Sequence, residues 1–297
     1  MNKIVNYILM LVVAASFVAC GGAKLSVADE QMARGEYFDA AKTYRKVYNK
    51  LDREQRSLRG EIAFKMGECH RLLRQNAKAS AAYANAKRFG CEDTLLNLRM
   101  AEVLHADGKY TPAIEAYKEF LEIHPDNVKA QNGLAGARIG HEKKASTRYV
   151  VHNAKLFNSR RSDYAPMYFD DSYDRLYFTT TNEKVTGNHR SEINGMKKAD
   201  IWTVSKNERG QWNRPEPVEG ELNSEVEEGI VSFSPDGSTM YLTRARREPN
   251  ANTGVEIFTS QRSDAQWSKP VKFEITADTL SSYGHPAVSP DGNWLYF

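Results

Sequence analysis

The sequence predicts an α + β multidomain protein, with an N-terminal α-helical solenoid followed by an all-β region of repeated antiparallel sheets that is incomplete. Three observations carry this. Residues 28–144 are rich in Ala, Glu, Lys and Arg, nearly free of proline, and space their apolar residues three and four apart, as one helix face does. After Lys144 the texture changes to short alternating strands broken by Asp, Gly and Pro. Each part repeats internally, and 297 residues are enough for two separate cores.

The totals exclude some functions. The net charge is +3 with 27% charged residues, and the densest basic runs, Arg160-Arg161 and Arg244-Ala245-Arg246-Arg247, fall in expected loops. Nucleic-acid binders carry a clustered basic stripe, so these runs read as solvated charge and no nucleic-acid partner is expected.

The first element, residues 1–19, opens on Lys3 and runs almost wholly apolar from Ile4 to Ala19. It falls short of the roughly 20 residues needed to span a bilayer as a helix and reads as a signal peptide. Its end, Phe17-Val18-Ala19-Cys20-Gly21, resembles the bacterial lipobox, with Phe17 where leucine is usual. The resemblance implies cleavage before Cys20 and acylation of that cysteine, and two or three acyl chains anchor a protein without a spanning helix. Residues 20–27 are then a tether. No acidic pair follows Cys20; such residues mark surface export in some Bacteroidota lipoproteins, so the expected location is the outer membrane, facing the periplasm. The other two cysteines, Cys69 and Cys91, either pair or serve as small buried apolar residues.

The second element, residues 28–144, repeats. Gly35-Glu36-Tyr37-Phe38-Asp39-Ala40 with Tyr44 matches Gly108-Lys109-Tyr110-Thr111-Pro112-Ala113 with Tyr117, and Ala79 and Tyr83 fill the same slots between them, at spacings of 39 and 34 residues. A small residue lets two helices approach, a glycine turns the chain, and an aromatic fills the gap to the next pair. Gly67 and Ala101 supply small residues on first helices, Arg74 stands where a turn glycine is expected, and Val128 to Ile139 reads as a capping helix. These features resemble tetratricopeptide repeats (TPRs). The resemblance implies a groove for peptides or protein segments, walled by the first helices, and its register places Phe64, Glu68, Arg71, Leu98, Glu102 and His105 near that wall. Phe64 and Leu98 equally suit a core, and the four polar residues a solvated surface.

The third element, residues 148–297, also repeats. Phe233-Ser234-Pro235-Asp236-Gly237 leads into Met240-Tyr241-Leu242, and Val288-Ser289-Pro290-Asp291-Gly292 leads into Leu295-Tyr296-Phe297, with an eroded copy at Phe169 to Phe178. In this pattern Pro235 and Pro290 set φ at the start of a tight turn, Asp236 and Asp291 bond back to its backbone, and Gly237 and Gly292 take the positive φ that ends it. Asp200-Ile201-Trp202-Thr203 recurs as Glu256-Ile257-Phe258-Thr259, and Trp212 with Pro215 as Trp267 with Pro270. Each unit of 55–64 residues thus suggests one four-stranded sheet. This resembles the PD40 (WD40-like) propeller repeat, with about two and a half blades before Phe297. Because rings take four to eight blades, the sequence is expected to be the N-terminal part of a longer protein.

No reaction centre is legible. The sequence lacks Gly-x-Ser-x-Gly, His-Glu-x-x-His, Cys-x-x-Cys and Walker patterns, so no enzyme, cofactor or metal site is expected within it. Asp170, Asp171 and Asp174 suit a turn or, off the EF-hand spacing, Ca²⁺. Taken in order, lipobox, tetratricopeptide repeats and PD40 blades resemble a Bacteroidota envelope lipoprotein family whose members continue into an OmpA-like peptidoglycan-binding domain, some of them associated with type IX secretion. This implies a periplasmic scaffold that binds envelope or secretion proteins and reaches peptidoglycan through a region beyond these residues. Two alternatives remain open: a hydrolase whose catalytic domain lies past Phe297, and a glycan-binding propeller using Trp202, Trp212 or Trp267.

Overall fold

The computed structural model describes residues 24–142, 149–246, 254–278 and 281–297; Cys20 and the expected signal segment lie outside them. The chain divides into two compact units at Val150/Val151, with residues 192–195 grouped with the first. Among the described residues no helix is long and apolar enough to cross a membrane.

The first unit holds seven helices among its described residues. Residues 24–33 form α1, followed by α2 (Tyr37–Tyr48), α3 (Arg56–Leu72), α4 (Asn76–Arg88), α5 (Leu96–Ala106), α6 (Tyr110–Ile123) and α7 (Val128–Glu142). The expected tether at 20–27 is therefore helical from residue 24, because Leu25 and Ala28 have a partner: Ala28 is fully buried and Leu25 packs on the same cluster as Tyr44 and Ile62.

Three hairpins follow, α1–α2, α3–α4 and α5–α6, and α7 covers the last. The slots read from the sequence are the tightest places in them. Ala40, Ala79 and Ala113 are each 0% exposed, and Tyr44, Tyr83 and Tyr117 at most 3%. Gly67 answers Tyr83: a Cβ on it would stand 2.4 Å from the ring, and a Cβ on Gly133 of α7 would stand 2.4 Å from Tyr117. The hairpins turn at left-handed residues, Gly35 (φ 80), Arg74 (φ 54) and Gly108 (φ 70). α3 packs on α5 and α5 on α7, so these helices, the leading member of each pair and the cap, make one continuous layer.

The second unit is built of antiparallel meanders. β1 (Asp163–Tyr168), β2 (Arg175–Thr180), β3 (Asp200–Ser205) and β4 (Glu216–Pro217) form the first sheet in that order. β5 (Glu228–Phe233), β6 (Thr239–Ala245), β7 (Val255–Ser263), β8 (Gln266–Trp267) and β9 (Val271–Lys272) form the second, and β10 (Ala287–Val288) pairs with β11 (Leu295–Tyr296). The β5–β6 and β10–β11 connections are the expected turns. Gly237 (φ 66) donates to the Ser234 carbonyl at 2.8 Å and Gly292 (φ 71) to that of Ser289 at 2.9 Å. Asp236 accepts the Ser238 N–H at 3.0 Å and Asp291 the Asn293 N–H at 3.1 Å. The eroded copy makes the same turn with Tyr173 (φ 55) in the glycine's place, and Asp170 accepts the Ser172 N–H at 3.0 Å, which accounts for the acidic cluster as turn chemistry.

The sheets stack through a repeated contact. One left-handed residue bends the chain within or just ahead of each leading strand, Ala165 (φ 50) in β1, Ile230 (φ 48) in β5 and His285 (φ 61) ahead of β10. The N–H of Ile230 donates to Thr179 Oγ1 of the preceding sheet at 2.9 Å, and that of His285 to Thr243 Oγ1 at 2.8 Å. The residue before the bend is glycine in both cases, and a Cβ on Gly229 would lie 2.5 Å from Thr179. Between the first two sheets, Phe169, Tyr177, Phe233 and Trp267 form an aromatic cluster with ring centroids 5.0–6.5 Å apart, and Trp267 Nε1 donates to the Tyr177 hydroxyl at 3.1 Å.

Candidate functional site

The first-helix layer carries a ladder of charges built on the tyrosine repeat. Fifteen residues before each repeat tyrosine stands an acid, Asp29, Glu68 and Glu102. The Tyr44 hydroxyl donates to Asp29 Oδ1 at 2.5 Å and the Tyr83 hydroxyl to Glu68 Oε1. Each acid also meets a cation from the next leading helix or the cap. Lys65 lies 2.9 Å from Asp29, Arg99 3.7 Å from Glu68, and Lys129 2.5 Å from Glu102. Within helices, Arg71 forks onto both oxygens of Glu68 at 3.0 and 2.7 Å, and Arg99 reaches Glu102 at 3.1 Å.

The electrostatics follow. Burial works against ionised Asp29 and Glu68, yet the hydrogen bonds they accept hold both below the usual carboxylate range, from Tyr44 and Lys65 in one case and from Arg71 and Tyr83 in the other. Tyr44 and Tyr83 are pushed up by burial and then by their acids, and Tyr117 is pushed up to about 12 by burial with Glu102 adding. Asp29 and Glu68 are thus anions beside the neutral phenols of Tyr44 and Tyr83 at physiological pH. The ladder fixes these long side chains along one wall, each acid held by a cation from the next leading helix or the cap.

Of the six residues predicted for this wall, the structure brings Glu68, Arg71 and Glu102 into the ladder. The other three pack. Leu98 is 4% exposed within the α5–α7 core, Phe64 lies 5.8 Å from the Tyr83 ring, and His105 sits edge-on to Tyr110 and Tyr117 at 5.8 and 6.1 Å. Leu98 therefore belongs to the core rather than the groove lining. It and Phe64 share a repeat position with Leu25, where an apolar side chain gains more by burial between helices than on an open wall. The residues missed were Asp29, Lys65, Arg99 and Lys129. The constant offset of fifteen from each tyrosine would have found Asp29, and a constant offset of eighteen before Tyr83 and Tyr117 marks Lys65 and Arg99; Lys129 of the cap has no such signal.

The second unit presents an open cavity of about 690 Å³ on the face of the first sheet turned away from the second, lined among others by Leu156, Phe157, Phe178, Trp202 and Pro215. Trp202 and Trp267 are 7% and 5% exposed, and Trp212 packs edge-on to Phe157 at 5.4 Å, so none of the three stands free as a stacking platform. Among the described residues no group of three or more His, Cys, Asp or Glu is arranged to hold a metal ion. Cys69 and Cys91 are both free thiols, Cys69 buried and Cys91 half-buried, and burial raises both above the ordinary thiol range.

Residues 96–127, which span α5, α6 and the turn into α7, match the tetratricopeptide repeat model. The chain thus carries a tetratricopeptide repeat. No curated protein sequence matches the chain. Among solved structures, similarity is found to the first TPR domain of human RPAP3, at 18% identity and a TM-score of 0.35 over 41% of this chain and 91% of that one. The Yersinia enterocolitica type III secretion chaperone SycD, in complex with a peptide of the translocator YopD, gives 18% identity and 0.35 over 41% and 94%. MamA from Desulfovibrio magneticus gives 16% identity and 0.37 over 41% and 66%.

Proposed function

We propose that the protein is a scaffold that binds other proteins rather than an enzyme. In this reading it is anchored through Cys20 to the outer membrane on its periplasmic side, and its repeats hold a polypeptide segment of an envelope or secretion partner. The observation that carries the interaction role is the continuous first-helix layer bearing the Asp29–Glu68–Glu102 ladder beside a matched tetratricopeptide repeat. Ladder acids and cations (Lys65, Arg71, Arg99, Lys129) nearly cancel, so the wall exerts no strong field of one sign. Recognition then rests on hydrogen bonds and shape, and partner affinity changes little between low and moderate salt.

The antiparallel meanders support a PD40-type propeller: the same turn, bend and threonine contact recur from sheet to sheet. The positions that on the second sheet are sealed by the first line the open cavity on the first sheet, where a further sheet would close the ring. The finer family, an OmpA-bearing Bacteroidota lipoprotein linked to type IX secretion, rests on module order, and peptidoglycan contact is assigned to a region outside these residues.

Affinity capture of the tagged protein from membranes in gentle detergent tests the reading. An envelope protein should be recovered with it, and Arg71→Ala with Glu102→Ala should reduce that recovery about tenfold while the helical circular dichroism stays unchanged. Cys20→Ala should abolish labelling by a fatty-acid analogue and release the protein from the membrane fraction. Undiminished recovery by the double variant sinks the groove; retained labelling in Cys20→Ala sinks the anchor.

A further inference from the structure

Two carboxyl groups are sealed in the seam between the first and second sheets. Asp200 opens β3 and Glu228 opens β5, and each is 1% exposed. The backbone closes beside them, where the N–H of Glu228 donates to the carbonyl of Ala199 at 2.9 Å. Glu228 is held within its own sheet: Arg244 Nε lies 3.1 Å from Oε1, Ser224 Oγ donates to Oε1, and the Ser224 N–H donates to Oε2 at 3.1 Å. On Asp200, Oδ2 accepts the N–H of Thr186 at 2.6 Å, whereas Oδ1 has no hydrogen-bond partner among the described residues.

Few other charges reach this seam. From β6 there is Arg244. Lys197, ahead of β3, attracts Asp200 while its own Nζ bonds the Glu183 carbonyl and Asn188. β1 offers Asp163, occupied by Thr180 and Ser159, and Tyr164, whose hydroxyl is affected by Glu227. β10 contributes only Ala287 and Val288. Arg244 therefore pairs with Glu228 while Asp200 forms no ion pair among the described residues, and two carboxylates sharing a dry site resist ionising together. Burial pushes Glu228 to about 7 against the pull of Ser224 and Arg244, with Asp200 adding to the rise; burial raises Asp200 as well.

We propose that Asp200 and Glu228 form a proton-operated latch: the packed sheets keep one proton between the two carboxyls, and the seam loosens as that proton passes to solvent. The sign is fixed by linkage. Packed sheets bind more protons than separated ones, so the seam is firmest in acid and weakens as pH rises from the ordinary carboxylate range through about 7. This rests on the second unit alone and is independent of what the repeats bind.

Hydrogen exchange on the full chain tests it. The amides of Glu228 and Ile230 cross the seam, to Ala199 and to Thr179. After correction for intrinsic exchange, their protection should fall by up to about tenfold per pH unit between about pH 5 and 7 and level off above that, while amides of the helical unit hold theirs. Glu228→Gln should flatten that slope. Equal protection of both amides at pH 5.5 and 8 overturns the latch, as does an undiminished slope in a folded Glu228→Gln chain. Should that variant not fold, a carbon-13 titration of the unmodified protein decides: Glu228 ionising in the ordinary glutamate range overturns the proposal, and ionisation near neutrality upholds it.

Discussion

Arg74 occupies a glycine's place, and removing its side chain should stabilise the helical unit. Three hairpins turn by one hydrogen-bond pattern. Gly35 donates to Met32 at 3.1 Å and Glu36 to Gln31 at 2.9 Å; Gly108 donates to His105 at 3.0 Å and Lys109 to Leu104 at 2.9 Å. Arg74 donates to Arg71 at 2.9 Å and Gln75 to His70 at 2.8 Å, so the middle turn is the same turn at φ 54. An L-residue held left-handed costs about 1–2 kcal/mol. Glycine relieves that but frees the unfolded chain by about 0.4–1 kcal/mol. The Arg74 side chain is exposed, so little packing is lost, and Arg74→Gly should gain about 0.5–1 kcal/mol. For a unit of this size that raises Tm by about 2–4 °C. Melting followed at 222 nm measures it, with Gly108→Arg as the mirror experiment, expected to lose a similar amount. A midpoint that falls or stays put in Arg74→Gly would refute the assignment of strain to this turn.

Two further substitutions probe close approach. Gly67→Ala places a methyl 2.4 Å from the Tyr83 ring and should destabilise the helical unit by about 1–3 kcal/mol, read from a urea midpoint; a neutral result would mean that Tyr83 can swing aside. Gly229→Ala sets a methyl 2.5 Å from Thr179 across the sheet seam. It should cost about as much and redden the emission of Trp267, which is buried in that seam; unchanged emission and midpoint would show that the sheets slide apart without loss.

Repetition decided what could be read from the sequence. Tyr44, Tyr83 and Tyr117, with their alanines, recur at spacings set by the helix pair, and Ser-Pro-Asp-Gly recurs with the hairpin, so local chemistry and architecture pointed the same way. The eroded positions were legible as departures but not in their outcome. Arg74 and Tyr173 keep the left-handed backbone because hydrogen bonds on both sides of each turn fix it. The ladder was half legible. Its acids ride on the tyrosine repeat, as do Lys65 and Arg99, but Lys65, Arg99 and Lys129 reach across to the preceding acid at separations of 36, 31 and 27 residues, and a long flexible side chain meets its partner from several starting points. Leu98 shows the other limit. Helical spacing assigns a face, but which side of that face sinks between neighbouring helices depends on their packing.

The stacking contact also bears on how a ring would close. Gly229 and Gly284 precede the bends that receive Thr179 and Thr243, and at Gly229 no Cβ fits. The corresponding residue of the first sheet is Tyr164, ahead of Ala165. A threonine presented to Tyr164 as Thr179 is to Gly229 would overlap its Cβ. If the propeller reading holds, the sheet that packs against the first one must therefore carry a smaller residue, glycine, alanine or serine, where these sheets carry threonine, or it must stand farther off. The residue at that position of the closing sheet checks this directly. A threonine there, at the 2.9 Å spacing seen for Ile230 and Thr179, would refute steric exclusion as the reason glycine precedes each bend.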